Sequence, residues 1–591
     1  METTEAPSKL MSTLKLFNWA EYVVFFGMLL ASALIGVYYG CRPKKDVTVD
    51  DYMLGGRKMS ILPVAVSLIA SFISGISLLG IPAETFYYGT QLFGISMAVI
   101  IGYVLLNLFY LPVVYHLQYN SLFEYLEKRF NRGVRLLASF IFSFSLILYI
   151  PVVIYVPSLA FNQVTGMSVH LLSSIICAVC IFYTSIGGLK AVVWSDALQS
   201  LFTFSSIIAV LILGTISVGG LSKIIEVNDR RERLELFNMN PDPFQRNTFW
   251  TTVIGSIPNW LKVLATHPGT VQRYISVPTY RGVQLVAFIM CIGIVVIKFI
   301  TTFCGLIMYT KYGDCDPLVT KQIQKPGQLL PYYVMDVAAD YPGLAGLFLS
   351  GVVCTALSTM SASLNTVAGT IYQDFIKPIM PSDTKDITAN LIMKSIVIIF
   401  GIVCTLLVLV VEQLGTIMQI AISLQGVTNG VALFIFTFGM FVPWGNTKGV
   451  LAGGLTGLIT TSWLATGAQI YSHQGHIVYG AKVTTVENCP ENITQSLGLN
   501  ITRFGYPGEG TMVFHSDHVP DFYKISYLYY GLLGFIVAMI VACVVSVITG
   551  VQDPSELDPK LIIPQLRPFI MKKKKQKPQV QLYSMVPTSE K

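Results

Sequence analysis

Thirteen stretches of this chain are long and apolar enough to predict membrane-spanning helices, each span needing about 20 mostly apolar residues. They fall at 19–40, 61–82, 91–113, 134–160, 168–187, 191–217, 247–267, 281–310, 343–372, 389–411, 413–441, 447–470 and 524–549. The first is too long for a signal-peptide core and lacks a clear cleavage site, so it reads as a retained span. Two spans are interrupted by polar and helix-weakening residues. "SLIASFISGISLLG" (67–80) contains Ser67, Ser71, Ser74, Ser77, Gly75 and Gly80, and "TTVIGSIPNW" (251–260) contains Gly255, Pro258 and Asn259. Gly and Pro also occur in membrane helices for packing reasons. Here each disrupted span opens a run of five, 61–217 and 247–441, which predicts broken helices at the start of two inverted repeats, as in many secondary transporters.

Composition supports the same class. Of 591 residues, 53% are hydrophobic and only 12% charged, half the charge of a typical soluble domain, and the mean hydropathy is +0.63. An all-α integral membrane protein follows, with no soluble domain of useful size. The expected organisation is 1–55 (external N-terminus, first helix, cytoplasmic loop), 56–220 (first repeat), 221–246 (external loop), 247–441 (second repeat), 442–550 (two extra helices around the external loop 471–523) and 551–591 (cytoplasmic basic tail). Much of the net charge of +7 comes from Lys572–Lys575 and Lys577, so it is no sign of nucleic-acid binding. That run suits an anionic lipid surface, at roughly 1 kcal/mol per charge, or equally a solvated tail.

Basic residues near span ends mark cytoplasmic loops. Arg42, Lys44, Lys45, Arg57, Lys58, Lys128, Arg129, Arg132, Arg135, Lys190, Arg273, Arg281, Lys377 and Lys385 then place the N-terminus outside and the C-terminus inside. One loop disagrees: 218–246, external in this scheme, holds Lys223, Arg230, Arg231 and Arg233. The two N-x-S/T sequons, Asn492 and Asn500, both lie in the predicted external loop 471–523, where glycosylation is possible. Eight of the ten cysteines sit in or at the ends of spans, as packing residues do. The other two, Cys315 and Cys489, fall in external loops, where the oxidising side permits a disulfide. His473/His476 and His515/His518 form two H-x-x-H pairs, more in keeping with solvated loop histidines than with a metal site.

A break in a membrane helix frees backbone carbonyls, which need a partner. A cation is one, and Ser74-Gly75 is where the helix would open to it. Thr355, Ser358 and Thr359 in "CTALSTMSASLN" (354–365) share one helical face and could supply further oxygens, although small hydroxylated residues also serve close helix packing. Asp196 in "GGLKAVVWSDALQ" (187–199) lies just inside a span. Such a group faces a cavity or a partner, or sits at the lipid–water boundary.

These stretches, with "DYMLGGRKMSILPVAVSLIASFISGISLLGIPAE", "SLFEYLEKRFN", "NQVTG", "VQRYIS", "DCDP" and "YPGLAGLF", resemble the sodium/solute symporters. The match runs from about residue 20 to 470 and favours the monocarboxylate/multivitamin/iodide branch. The resemblance implies a LeuT-type 5+5 inverted repeat, alternating access and sodium as the coupling ion. It implies sodium coordination by the carbonyls of Ala70, Ile73 and Thr355 and the hydroxyls of Ser358 and Thr359, with Asp196 on the inner sodium route. Ser71, Ser77 and Gln199 fall at positions tied to sodium or substrate in relatives.

The chain departs from that pattern where relatives carry an Asn-Gln-x-Gln run. It reads His267-Pro268-Gly269-Thr270, with Lys262 in place of a small polar residue and Lys298 in place of an aliphatic one. Lys298 could line a crevice, pair with an anionic substrate or with Asp196, or replace a sodium ion. The expected function is sodium-coupled symport of a small organic anion, a monocarboxylate first, across the plasma membrane. The alternatives are a vitamin or iodide-like carrier of the same branch, or a solute sensor or channel. No nucleophile–base set or cofactor loop suggests an enzyme, and the sequence names no protein partner.

Overall fold

The computed structural model describes residues 19–41, 54–119, 121–338, 341–381, 385–411, 417–490, 503–504, 513–515 and 519–576. Asn492, Asn500, His518 and Lys577 lie outside them. Among the described residues, nine helices are long and apolar enough to cross a membrane, and the pair Ile61–Phe72 and Gly75–Tyr88, bent by 57°, adds a tenth.

The predicted spans 168–187, 191–217 and 247–267 take less regular forms. Stretches 168–187 and 191–217 merge into one helical run, Val169–Ser217, of 49 residues. A straight helix of that length would reach about 74 Å, more than twice the roughly 30 Å of hydrocarbon. Gly188 interrupts it with φ 58 and ψ −156, a conformation a side chain would resist. Stretch 247–267 is built from π turns at Trp250–Ile254 and Lys262–Thr266 around the short helix Ile257–Leu261. Stretch 447–470 is the helix Thr447–His473, which packs on Tyr530–Ile548.

The first broken helix opens at the expected place. Ile73 (φ −90, ψ 97) and Ser74 (φ −94, ψ 158) are both extended. Ser74 restarts the chain as an N-cap: its hydroxyl accepts from the Ser77 N–H and the Ser77 hydroxyl accepts from the Ser74 N–H, the reciprocal pairing of a capping box. The second break corrects the expectation. Pro258 and Asn259 stay helical, Gly255 makes a turn between two helical segments with its backbone still in the α region (φ −59, ψ −32), and the chain opens instead at His267 (φ −80, ψ 121), before the half-helix Pro268–Ile275. Pro268 explains the shift, because the residue before a proline is pushed out of the α region.

The helix Leu344–Ile371 is the buried centre of the bundle. It packs most extensively on Val169–Ser217, then on Arg132–Thr165, Trp19–Cys41, Asp386–Val411 and Ile61–Phe72. At one end of the bundle three connecting segments meet. Cys315 and Cys489 form a disulfide with a Cα–Cα distance of 5.0 Å. Arg233 is fully buried, lies over the Tyr309 ring at 3.5 Å and donates to the carbonyls of Phe86 and Val483. Arg231 pairs with Asp314 and Arg230 with Glu226. The basic residues of 218–246 that disturbed the orientation count are therefore largely committed to contacts at this end, which the loop shares with 313–328 and 477–490.

Candidate functional site

The break at Ile73-Ser74 faces the central helix. Ser358 Oγ donates to the Ala70 carbonyl at 3.1 Å, and Thr359 Oγ1 donates to the Ser71 carbonyl at 3.2 Å. Both hydroxyls also lie within hydrogen-bond distance of the Thr355 carbonyl, at 3.2 and 2.8 Å. Oxygens from the two helices are thus gathered into one cluster, the ligand type that hard cations take. Ala70, Ile73, Thr355 and Ser358 line a small cavity of about 10 Å³ together with Gln199, roughly the room of one water-sized particle. Gln199 Nε2 donates to Ser32 Oγ at 3.1 Å, while its Oε1 is buried without a hydrogen-bond partner, a further oxygen suited to a cation. Thr359 is set apart from the other four. It does not line the small cavity but the neighbouring central one, which Ile73 also lines.

Asp196 is no boundary residue: it is fully buried. Ser67 Oγ donates to its Oδ2 at 2.8 Å and Ser361 Oγ to its Oδ1 at 3.4 Å. Arg273 Nη2 completes the set, 3.3 Å from Oδ2. The carboxylate therefore ties the Ile61–Phe72 half of the first broken helix to the central helix and to the half-helix after the second break. Arg273 is 2% exposed, which corrects its reading as a cytoplasmic loop charge. It also corrects the pairing considered for Lys298, since the cation at Asp196 is Arg273.

The central cavity, about 210 Å³, lies where the two broken helices face one another. Ser71, Ser77 and Lys298 all line it. Ser71 and Ser77 donate to Ser67 and Ser74 carbonyls of their own helix turns, leaving lone pairs for a ligand. Lys262, His267 and Arg273 line it too. Lys298 Nζ stands 4.8 Å from the centre of the Trp260 ring, and Lys262 Nζ 6.0 Å from that of Phe142. A desolvated cation–π contact contributes about 2 kcal/mol, while a charge at span centre costs roughly 2.5–3.5 kcal/mol. The rings offset only part of the cost of holding two ammonium groups here.

A larger cavity of about 640 Å³ borders the first along the Gly75–Tyr88 half of the broken helix, and Ile76 lines both. Glu84 at its wall is held by Arg246 at 2.6 and 2.9 Å, beneath the rings of Tyr88, Tyr479 and Tyr527. Sequence reading missed this pair, and nothing in local spacing links residues so far apart. Arg273 had a signal, the "VQRYIS" stretch, but was counted only as surface charge. Among the described residues no cluster of His, Cys, Asp and Glu could hold a metal.

The sodium:solute symporter family model matches residues 52–457. Over 563 residues, 95% of this chain and 89% of the relative, the sequence is 37% identical to mouse sodium-coupled monocarboxylate transporter 2. It is 35% identical to human sodium-coupled monocarboxylate transporter 1, over 92% of this chain and 89% of that protein. The human sodium/iodide cotransporter is likewise 35% identical, over 95% and 87%. Among solved structures, a Na+-coupled sialic acid symporter in a substrate-bound outward-open state superposes with a TM-score of 0.72. The match is 22% identical and covers 91% of this chain and 99% of that one.

Proposed function

From membership in the sodium:solute symporter family, to which this chain belongs, we propose that it carries a small organic anion of the monocarboxylate class across the plasma membrane, driven by the sodium gradient. The chain is a sodium-coupled membrane transporter with a LeuT-type fold, and not an enzyme. The observation that carries the proposal is the pairing of Ser358 and Thr359 with the carbonyls of Ala70 and Ser71, beside a cavity with cationic walls.

Sodium sits among the carbonyls of Ala70, Ile73 and Thr355 and the hydroxyls of Ser358 and Thr359. Before it binds, those hydroxyls spend their protons on the carbonyls. Sodium replaces these bonds and pins the broken helix against the central one. Thr359 and Ser71 belong to both the oxygen cluster and the wall of the central cavity, so fixing them for one ligand lowers the ordering cost of the other. By linkage each ligand then tightens the other by the same factor. The end of the molecule bearing the Cys315–Cys489 disulfide is the extracellular one, where such a bond persists, and the C-terminus is cytoplasmic.

The test is sodium-dependent uptake and current in cells expressing the chain, across lactate, pyruvate, biotin, iodide and glucose. Accumulation of lactate or pyruvate above equilibrium only when sodium is present is the expected result. A sodium-dependent current with iodide or biotin alone would reassign the substrate, and binding without accumulation would reject symport.

A further inference from the structure

The central cavity holds more positive charge than one carboxylate neutralises. Its charged lining residues are Lys262, Arg273 and Lys298, and no Asp or Glu lines it. Arg273 is already paired with Asp196. Lys262, 6% exposed, and Lys298 have no carboxylate within ion-pair distance among the described residues; each ammonium has an aromatic ring instead.

The two are separate anchors. Lys262 rises from the helical run before the second break, and Phe142, Ser145, Thr428 and Asn429 surround it. Lys298 comes from the helix Tyr280–Tyr312 and stands over Trp260. A cation beside a ring keeps most of its capacity to attract an anion, because the ring face offers it no full countercharge. A monocarboxylate would engage one ammonium and leave the other in the cavity without a countercharge. A ligand with a carboxylate at each end would satisfy both.

Resting on the reading of this cavity as the substrate site, we propose that Lys262 and Lys298 each bind one anionic group, so that the cavity admits short dicarboxylates beside its monocarboxylate substrates and binds them more tightly than monocarboxylates of the same length. The apolar part of the lining suits the rest of such a ligand. Ile297, Ile294 and Ile76 line the same cavity and suit a methylene chain.

The full-length protein in proteoliposomes tests this. Labelled lactate uptake is driven by an inward sodium gradient and competed with succinate or butyrate, which share a chain length and differ by one carboxylate. Succinate should inhibit at a concentration at least tenfold lower than butyrate. That preference should fall at least tenfold in Lys262→Met and in Lys298→Met, and persist in Lys298→Arg, which keeps the charge. Equal inhibition by the two acids in the wild-type protein would overturn the proposal. So would a preference unchanged in both methionine variants. Should lactate uptake itself show no sodium dependence, the symport reading fails. Calorimetric titration of the purified wild-type protein with succinate and butyrate then decides the lysine proposal alone: a tenfold preference for succinate upholds it and equal affinity overturns it.

Discussion

Asp196 Oδ2 accepts from Ser67 and faces Arg273 Nη2 at 3.3 Å, with both side chains sealed from solvent. The pair joins residues 77 positions apart across three packed elements. Breaking a buried ion pair from one side leaves an uncompensated charge and costs about 3–5 kcal/mol, whereas removing both charges is often nearly neutral. Asp196→Asn is therefore expected to lower the thermal stability of the purified protein sharply. Arg273→Met should do the same, and the double variant should recover much of the loss. A double-mutant cycle on melting temperature measures this coupling; strictly additive losses would show that the pair carries no shared energy.

The hydroxyl pairs at the first break predict a different phenotype. Ser358→Ala and Thr359→Ala each remove one oxygen from the cluster and one bond to a freed carbonyl, at 3.1 and 3.2 Å. A net hydrogen bond contributes only about 1 kcal/mol to stability, so the variants should fold and reach the surface. On the proposed site sodium would lose a direct ligand, so the sodium concentration for half-maximal uptake should rise by tenfold or more in either, and uptake should vanish in the double variant. Surface biotinylation beside sodium titration separates the two effects.

Helix Tyr280–Tyr312 splints the broken helix through two glycines. A Cβ on Gly293 would come within 2.3 Å of Ile69 Cδ1, and one on Gly305 within 2.6 Å of the Pro82 carbonyl and 2.5 Å of Thr85 Cβ. The contacts fall on opposite sides of the break. Ile69 can move its side-chain end; the Pro82 carbonyl is backbone and cannot. Gly305→Ala is thus expected to cost about 1–3 kcal/mol through overpacking and to weaken sodium affinity by shifting the half-helix Gly75–Tyr88. Gly293→Ala should be milder. Melting temperature and sodium-dependent uptake of the two variants rank them, and a reversed ranking would discount the splint.

Much of this arrangement was legible in the sequence where chemistry is local. The Ser/Gly interruption at 67–80 opened where its hydroxyls suggested, because the same serines that weaken the helix also cap its restart. The i, i+3, i+4 spacing of Thr355, Ser358 and Thr359 gave the face that meets it. Cys315 and Cys489 were the two cysteines left in loops, and they are joined. Non-local partners were not legible. Arg273 looked like a loop charge because nothing near it in sequence announces Asp196, and Arg233 counted against the orientation because its carbonyl partners lie in distant segments. The second break was misplaced because Gly and Pro at 255–258 were weighed above Pro268, although the proline's constraint on His267 decides the backbone.

Asp316 yields the pH prediction. It follows Cys315 at the disulfide end of the molecule, accepts from the Leu318 N–H at 2.9 Å and from the Tyr87 hydroxyl at 3.2 Å, and is 1% exposed. Burial raises its pKa above the ordinary carboxylate value, against the opposing pull of the Leu318 N–H. A carboxyl whose folded pKa is raised binds its proton more tightly in the folded state. Its contribution to stability is fully present below the unfolded value and is lost as pH rises through the folded one. Lowering the pH from neutrality toward the ordinary carboxylate value, about 4, should therefore stabilise this end of the fold, and Tyr87 carries the effect into the Gly75–Tyr88 half of the broken helix. Asp316→Asn keeps an acceptor oxygen and removes the titration. Other carboxylates titrate alike in both proteins, so the difference between their melting temperatures isolates Asp316. The wild type should gain more on acidification than Asp316→Asn, and equal gains would assign the pH dependence elsewhere.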